Sequence, residues 1–333
     1  MYGLVPRISI VLSCAIIVML SGTRVGVGVD YYPYVNIFHA ISNGSPTFVE
    51  PGFRWLNVLV ATLTDNAQWI FFVTSLVTIV LLYVFMARYS KNLALSVFLI
   101  FGLCLIFFSF NTMRQFLAIG LATLAFGPLL KRQFFRYTSI IVIACFFHTT
   151  AFIMIPLYFL LNIRYTKLRL TAMTVGATVL YLMAPTMIEL FLLLYPQHAD
   201  NETLLSGTQF SEVFIFTPII LLFLIHKLIK NKMITYTGVD RIYINIVLLV
   251  LFFNLAFVWI PGMDRVNLYL GTMLLVAIPY IFHKLSRVGS RSLIVLSIIY
   301  FSTYAFISTY VNDSHQVLPY NSVLIPTSVK GEV

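Results

Sequence analysis

Charge is what this sequence has least of. Only 10% of its 333 residues are Asp, Glu, Lys or Arg, while 60% are hydrophobic. Soluble domains carry about 25% charged residues. There is too little polar surface here to coat a globule in water, so the bilayer must be the solvent for most of the chain. Cysteine is also scarce. Cys14, Cys104 and Cys145 each lie inside an apolar run, which excludes a disulfide framework and a thiolate metal cluster. Val11 to Cys14 faintly resembles a lipoprotein cleavage box, but the apolar run before it is short and continues past it, so Cys14 reads as an ordinary helix residue. No P-loop or Rossmann glycine pattern occurs, so no nucleotide site is implied. No DxD-like pair occurs and the carboxylates form only a loose hard-oxygen pattern, so neither a metal nor a cofactor is expected. No internal repeat or pair of broken helices of the inverted-repeat transporter kind is evident.

What is present is a series of apolar runs joined by short polar loops. They fall at 8–23, 68–87, 93–110, 116–130, 137–147, 150–163, 170–194, 212–229, 241–260, 266–282 and 292–309. The pattern predicts an all-α, polytopic integral membrane protein of about eleven transmembrane helices (ten to twelve). Several runs are shorter than the roughly 20 residues a full crossing needs, so some spans are short or re-entrant. Residues 1–310 read as one transmembrane domain with outer loops at 24–67 and 195–211, followed by an extracytoplasmic tail at 311–333 with little regular structure. The stretch 51–64 is too short and polar for a span, and reads as re-entrant or flat on the interface. The loop 195–211 is long enough to act as a lid.

The charges give the orientation. The net charge of +10 comes from 21 basic and 11 acidic residues. With the N-terminus inside, sixteen of the basic residues fall in cytoplasmic loops, and Asp240 is the one acidic residue there. This is the positive-inside pattern. The net charge therefore records topology and not a nucleic-acid partner. The same rule requires an even number of crossings within 137–163, which places His148 at the tip of a hairpin with short arms. Five basic residues are left on the outer side: Arg24, Arg54, Arg114, Arg265 and Lys330.

Five outer-side groups carry the chemistry: Asp30 to Tyr34, Glu50-Pro51-Gly52, Asn111 to Gln115, His148-Thr149-Thr150, and Gly262 to Arg265. Four of them stand where a helix starts and runs inward. Pro51 suits a first helical position. Asn111 or Thr112, Thr149 and Asp264 suit N-caps. Helix N-termini with Arg nearby favour an anion, and a pyrophosphate at headgroup level is such an anion. Arg114 and Arg265 are lone cations beside apolar helices, where a charge is costly and so marks function, and a guanidinium grips phosphate oxygens in two places. The plainer alternative is an Arg that snorkels and pairs locally, as Arg265 could with Asp264. His148 reads either as a general base or as a buried, hydrogen-bonded imidazole. Asp30 and Glu50 are alternative bases, or they orient a hydroxyl or pair with Arg. Arg24 is a lesser phosphate candidate. Tyr31 and Tyr32 belong to an aromatic belt from which some rings can stack on sugars.

In order, these motifs resemble the EpsG-like family of polysaccharide polymerases, related in role to Wzy-type O-antigen polymerases. The likeness rests on Ser21-Gly22-Thr23-Arg24, Asp30-Tyr31-Tyr32, Glu50-Pro51-Gly52-Phe53, Asn111 through Arg114-Gln115-Phe116-Leu117-Ala118, Phe147-His148-Thr149-Thr150-Ala151, and Asp264-Arg265. It is clear over about 20–165 and general beyond. Family members carry a further helix before the segment ending at Ser21-Gly22, and this chain starts almost at that segment. The resemblance implies a glycosyltransferase of the bacterial inner membrane, with its site facing the periplasm and undecaprenyl-pyrophosphate-linked glycans as substrates. Membrane lipid, a chain-length regulator and a flippase are the further partners it implies, and nucleic acid is not one. The residues' own chemistry and placement make His148, Arg114, Arg265, Glu50 and Asp30 the candidates for catalysis, and Arg24, Tyr31, Tyr32, Asn111, Gln115 and Asp264 those for substrate binding. A lipid-linked-sugar flippase or other transporter, an O-antigen ligase-like transferase and an accessory subunit are the rival readings.

Overall fold

The computed structural model describes residues 4–194, 213–257 and 263–324. Among these residues the chain is helical and has no β-strand. One isolated antiparallel bridge joins Arg24 to Ser322. A chain dissolved in hydrocarbon must satisfy its backbone within each segment, and the helix is the local way to do so.

The first part of the chain runs through α1 (Leu4–Gly22), α2 (Tyr31–Ser42), α3 (Pro51–Ala61) and α4 (Gln68–Tyr89). It continues through α5 (Leu93–Gly102), α6 (Leu105–Asn111), α7 (Met113–Thr123), α8 (Phe126–Leu130) and α9 (Phe134–Cys145). A 3₁₀ turn (Thr149–Ile153) leads into α10 (Met154–Asn162) and then α11 (Lys167–Leu194). The last part comprises α12 (Val213–Lys230), α13 (Gly238–Phe257), α14 (Met263–His283) and α15 (Arg287–Phe306), which ends in a π turn (Ile307–Val311).

Four of these helices are long and apolar enough to cross a membrane: α4, α13, α14 and α15 with its π turn. The α5–α6 pair makes a fifth if it is one broken span. The sequence reading expects about eleven spans, some of them short or re-entrant, and the chain does interrupt several of the runs. The run 93–110 bends by 50° between α5 and α6. There Cys104, fully buried, takes a left-handed conformation (φ 55°) that an L-residue adopts only under constraint. The run 116–130 divides into α7 and α8. The arms of the 137–163 hairpin, α9 and α10, have 12 and 9 residues. At 1.5 Å per residue the longer arm is about 18 Å, short of the ~30 Å hydrocarbon layer. Its apex at His148 is 8% exposed, drawn in among the neighbouring helices.

α14 is the central helix. Its apolar stretch is 94% buried, against 11% for α15, which lies at the periphery. α14 packs on α13, α5, α7 and the 3₁₀ turn, and α4 packs on α1 and α7. At the far end of the bundle, Asp240 at the start of α13 pairs with Lys284 just past α14 (3.0 Å) and accepts the Tyr280 hydroxyl. That clasp fixes the antiparallel α13–α14 hairpin.

The region 24–67, read from sequence as an outer loop, contains α2 and α3, which pack on each other. Tyr31, Tyr34, Phe38 and Ile41 fall on one helical stripe and are buried. Tyr31, Tyr34 and Phe38 close a small second core with Phe53, Val60, Ile70, Phe71 and Met113. The lid expected at 195–211, and Gly262 with it, lies outside the described residues.

Candidate functional site

Glu50, Arg114 and His148 meet at one point. Pro51 starts α3, and Glu50 takes the N-cap position with extended backbone. Its carboxylate does not cap the helix. One oxygen, Oε1, lies 2.7 Å from His148 Nδ1, and Oε2 lies 2.5 Å from Arg114 Nη1. The backbone explains how two distant segments reach each other. Gly52 N–H donates to the Phe146 carbonyl at 2.7 Å, and a Cβ on Gly52 would stand 2.7 Å from that same oxygen. Only glycine allows the start of α3 to dock so closely on the end of α9.

The remaining residues gather around this centre. Arg114 lies in the first turn of α7, and its backbone N–H reaches the Tyr34 hydroxyl at 3.5 Å. Gln115 is 1% exposed and donates its side-chain amide to the Arg265 carbonyl, which ties the start of α7 to the start of α14. One turn further along α14, the Tyr269 hydroxyl is 3.2 Å from Thr150 Oγ1, beside His148. The Arg265 side chain is exposed. Asp30, at the N-cap of α2, is half-buried and feels the charges of both Arg265 and Arg114. The starts of α2, α3, α7 and α14 therefore converge with the hairpin apex. The side chain of Asp264 lies outside the described residues, and its backbone falls within the first turn of α14 and not at the cap.

The electrostatics give the cluster a direction. Burial raises the Glu50 pKa, but the His148 hydrogen bond, a backbone bond and the Arg114 charge together bring it down to about 2. Glu50 is thus an anion, and an anion accepts. His148 Nδ1 must donate to it, which leaves the lone pair of the neutral ring on Nε2. His148 Nε2 is buried with no hydrogen-bond partner, and the same holds for Arg114 Nε and Gln115 Oε1. A buried polar atom without a partner carries a desolvation cost, so these three mark where a ligand would be rewarded. Burial pushes the Asp30 carboxyl up, and the two arginines oppose that shift.

Other candidates are placed elsewhere or differently. Arg24 is fully buried. Its guanidinium donates to the carbonyls of Ser21 (2.5 Å) and Phe110 (3.2 Å) and lies against the rings of Phe71 and Phe110. Its hydrogen bonds go to the protein's own backbone. Tyr31 is buried on Phe71 and donates to Gln68, while Tyr32 is 65% exposed. Asn111 ends α6 and does not cap α7. Thr112 occupies the cap position, and its hydroxyl turns back to Phe108. His148, not Thr149, stands at the cap of the 3₁₀ turn. Tyr34 figures in the sequence reading only as the end of the Asp30–Tyr34 group, with no role of its own, and Tyr269 not at all. Tyr269 sits four residues after Arg265, the spacing of one helix face, and that was its available signal.

The fold and this cluster define a polytopic helical membrane protein with a histidine–carboxylate–arginine centre at converging helix starts. The chain belongs to the EpsG family, whose model matches residues 7–322. Membership links it to polysaccharide biosynthesis at a membrane, and the match reaches well past the 20–165 region whose motifs carry the resemblance. No curated protein and no solved structure matches the chain.

Proposed function

We propose that the protein is a polysaccharide polymerase, a nucleotide-independent glycosyltransferase that joins undecaprenyl-pyrophosphate-linked repeat units at the non-cytoplasmic face of a bacterial inner membrane. The growing chain is the donor and one lipid-linked repeat is the acceptor. The observation that carries this reading is the Glu50–His148 pair beside Arg114, with His148 Nε2 buried and free.

The acceptor hydroxyl gives its proton to His148 Nε2 as its oxygen bonds to the anomeric carbon of the donor. The bond from that carbon to the pyrophosphate oxygen breaks, and the electron pair leaves with lipid pyrophosphate. The ionised Glu50 holds the imidazole in the Nδ1–H tautomer and stabilises the imidazolium that forms, the role a buried carboxylate plays in hydrolytic triads. Arg114 and Arg265 stand where the leaving charge grows, and such preorganised cations lower the barrier because they need no reorganisation. Asp30 orients the acceptor sugar. Glu50, placed by sequence alone among the acceptor-positioning groups, is better used as the partner that orients the base.

The experiment is the length distribution of surface polysaccharide in cells carrying single substitutions, at matched expression. Arg114→Ala and His148→Ala are expected to leave single repeats and no long chains. Normal long chains from both would sink the assignment. A flippase would leave no surface repeat at all, and a ligase would leave long polymer on the carrier lipid.

A further inference from the structure

The segment 312–323 after the last helix makes none of the contacts of the Glu50 cluster, yet it is bonded to segments that lead into it. Gln316 accepts from Gly28 N–H (2.9 Å), and Asn321 accepts from Val25 N–H (2.9 Å). Val323 N–H donates to Thr23 (2.9 Å), and the Tyr320 hydroxyl donates to Leu20. His315 is 5% exposed and packs against the rings of Phe107 and Phe108, at 6.1 and 4.5 Å between centroids. Burial lowers its pKa to about 4, so it sits in this apolar seat as a neutral ring. The segment is a strap closed over residues 20–29.

One side chain joins this strap to two others. Asn111 Oδ1 accepts from Val29 N–H at 2.8 Å, and its Nδ2 donates to the His315 carbonyl at 3.2 Å. Val29 directly precedes Asp30, and Arg114 lies three residues after Asn111. Gly28 makes room for the contact. Its φ is +90°, and a Cβ there would come within 2.5 Å of Asn111 Oδ1. One acceptor site and one donor of the amide are thus used to bond the protein to itself.

We propose that Asn111 is a positioning residue that locks the strap, the loop entering Asp30 and the turn entering Arg114 into one unit, so fixing Asp30 relative to Arg114. The geometry stands by itself. Its consequence for the rate rests on the proposed polymerase reading.

The test pairs hydrogen exchange with initial-rate kinetics on the full chain in lipid nanodiscs, using lipid-linked repeat units as substrate. Asn111→Ala and Gly28→Ala should raise exchange about tenfold or more in peptides 23–32 and 313–324, because both lose the bonds that protect them. Peptides from α4 should be unchanged, which controls for folding. Asn111→Asp keeps the acceptor for Val29 N–H but loses the donor to His315, so its strap should open more than its 23–32 loop. Turnover should fall about tenfold or more in Asn111→Ala while KM changes less than about threefold, since misalignment costs rate more than binding. Unchanged exchange in both alanine variants overturns the clamp. Raised exchange with unchanged turnover overturns the positioning role. A wild-type protein that transfers no repeats overturns the polymerase reading, and the exchange data still decide the clamp.

Discussion

Glu50 has two carboxylate oxygens and a partner for each. Its folded pKa of about 2 lies below the ordinary carboxylate value of 4.5. The stabilisation from pairing is therefore complete above about pH 4.5 and is lost as pH falls toward 2. Thermal unfolding of wild type and Glu50→Gln across pH should show a difference that is constant near neutrality and vanishes at the acid end. At neutral pH, Glu50→Gln keeps the shape but not the charge that fixes the His148 tautomer, so transfer should drop about a hundredfold, within the usual reach of acid–base catalysis. Arg24 should behave in the opposite way. Arg24→Ala strands two buried carbonyls and opens a cavity, so a loss of about 2–4 kcal/mol in stability is expected, read by denaturation without substrate. Arg114→Ala should lose polymerisation with a smaller stability change. The sequence showed all of these as charges beside apolar helices. It ranked Arg24 below Arg114 as a phosphate candidate but could not show its burial, because what buries Arg24 includes a bridge to Ser322, far along the chain. It could not show Glu50 between its partners either, since those pairs span 64 and 98 residues.

Helix starts are the elements that matter here. Pro51 marked one of them correctly, because a fixed φ and a missing N–H suit a first turn. α3 falls in the stretch 51–64 that reads as re-entrant or interfacial, whereas α2, 12 residues long, was hidden inside a polar-looking loop and too short to read as a span. The Tyr31–Tyr34–Phe38–Ile41 stripe was nevertheless a helical signal. The α5–α6 break has a glycine, Gly102, at the end of α5, but a lone glycine in an apolar run does not announce a 50° bend, which also depends on the left-handed conformation at Cys104. Docking of α3 on α9 gives a prediction at this scale. Gly52→Ala places a Cβ 2.7 Å from the Phe146 carbonyl and should force the two elements apart. Polymer length should collapse as it does for Glu50→Gln. Exchange should rise in peptides 50–61 and 143–150 and stay unchanged in α14.

For the molecule as a whole, the membrane class followed from composition, because too few charges leave no alternative solvent. Helix order followed from the apolar runs. The number of crossings did not, since short, bent and paired helices share the same local composition as full spans. The proposed orientation, with the Glu50 cluster on the non-cytoplasmic side, rests on the charge distribution and has its own check. A cysteine in place of exposed Arg265 should react with a membrane-impermeant maleimide in intact spheroplasts, whereas one at Arg132 should react only after permeabilisation. The most direct measurement of the central claim is polymerisation by the purified full chain in nanodiscs, given only lipid-linked repeat units and no nucleotide sugar. The account predicts a ladder of long products with release of lipid pyrophosphate from wild type, and single repeats from His148→Ala. No ladder from wild type, or an undiminished ladder from His148→Ala, would contradict it.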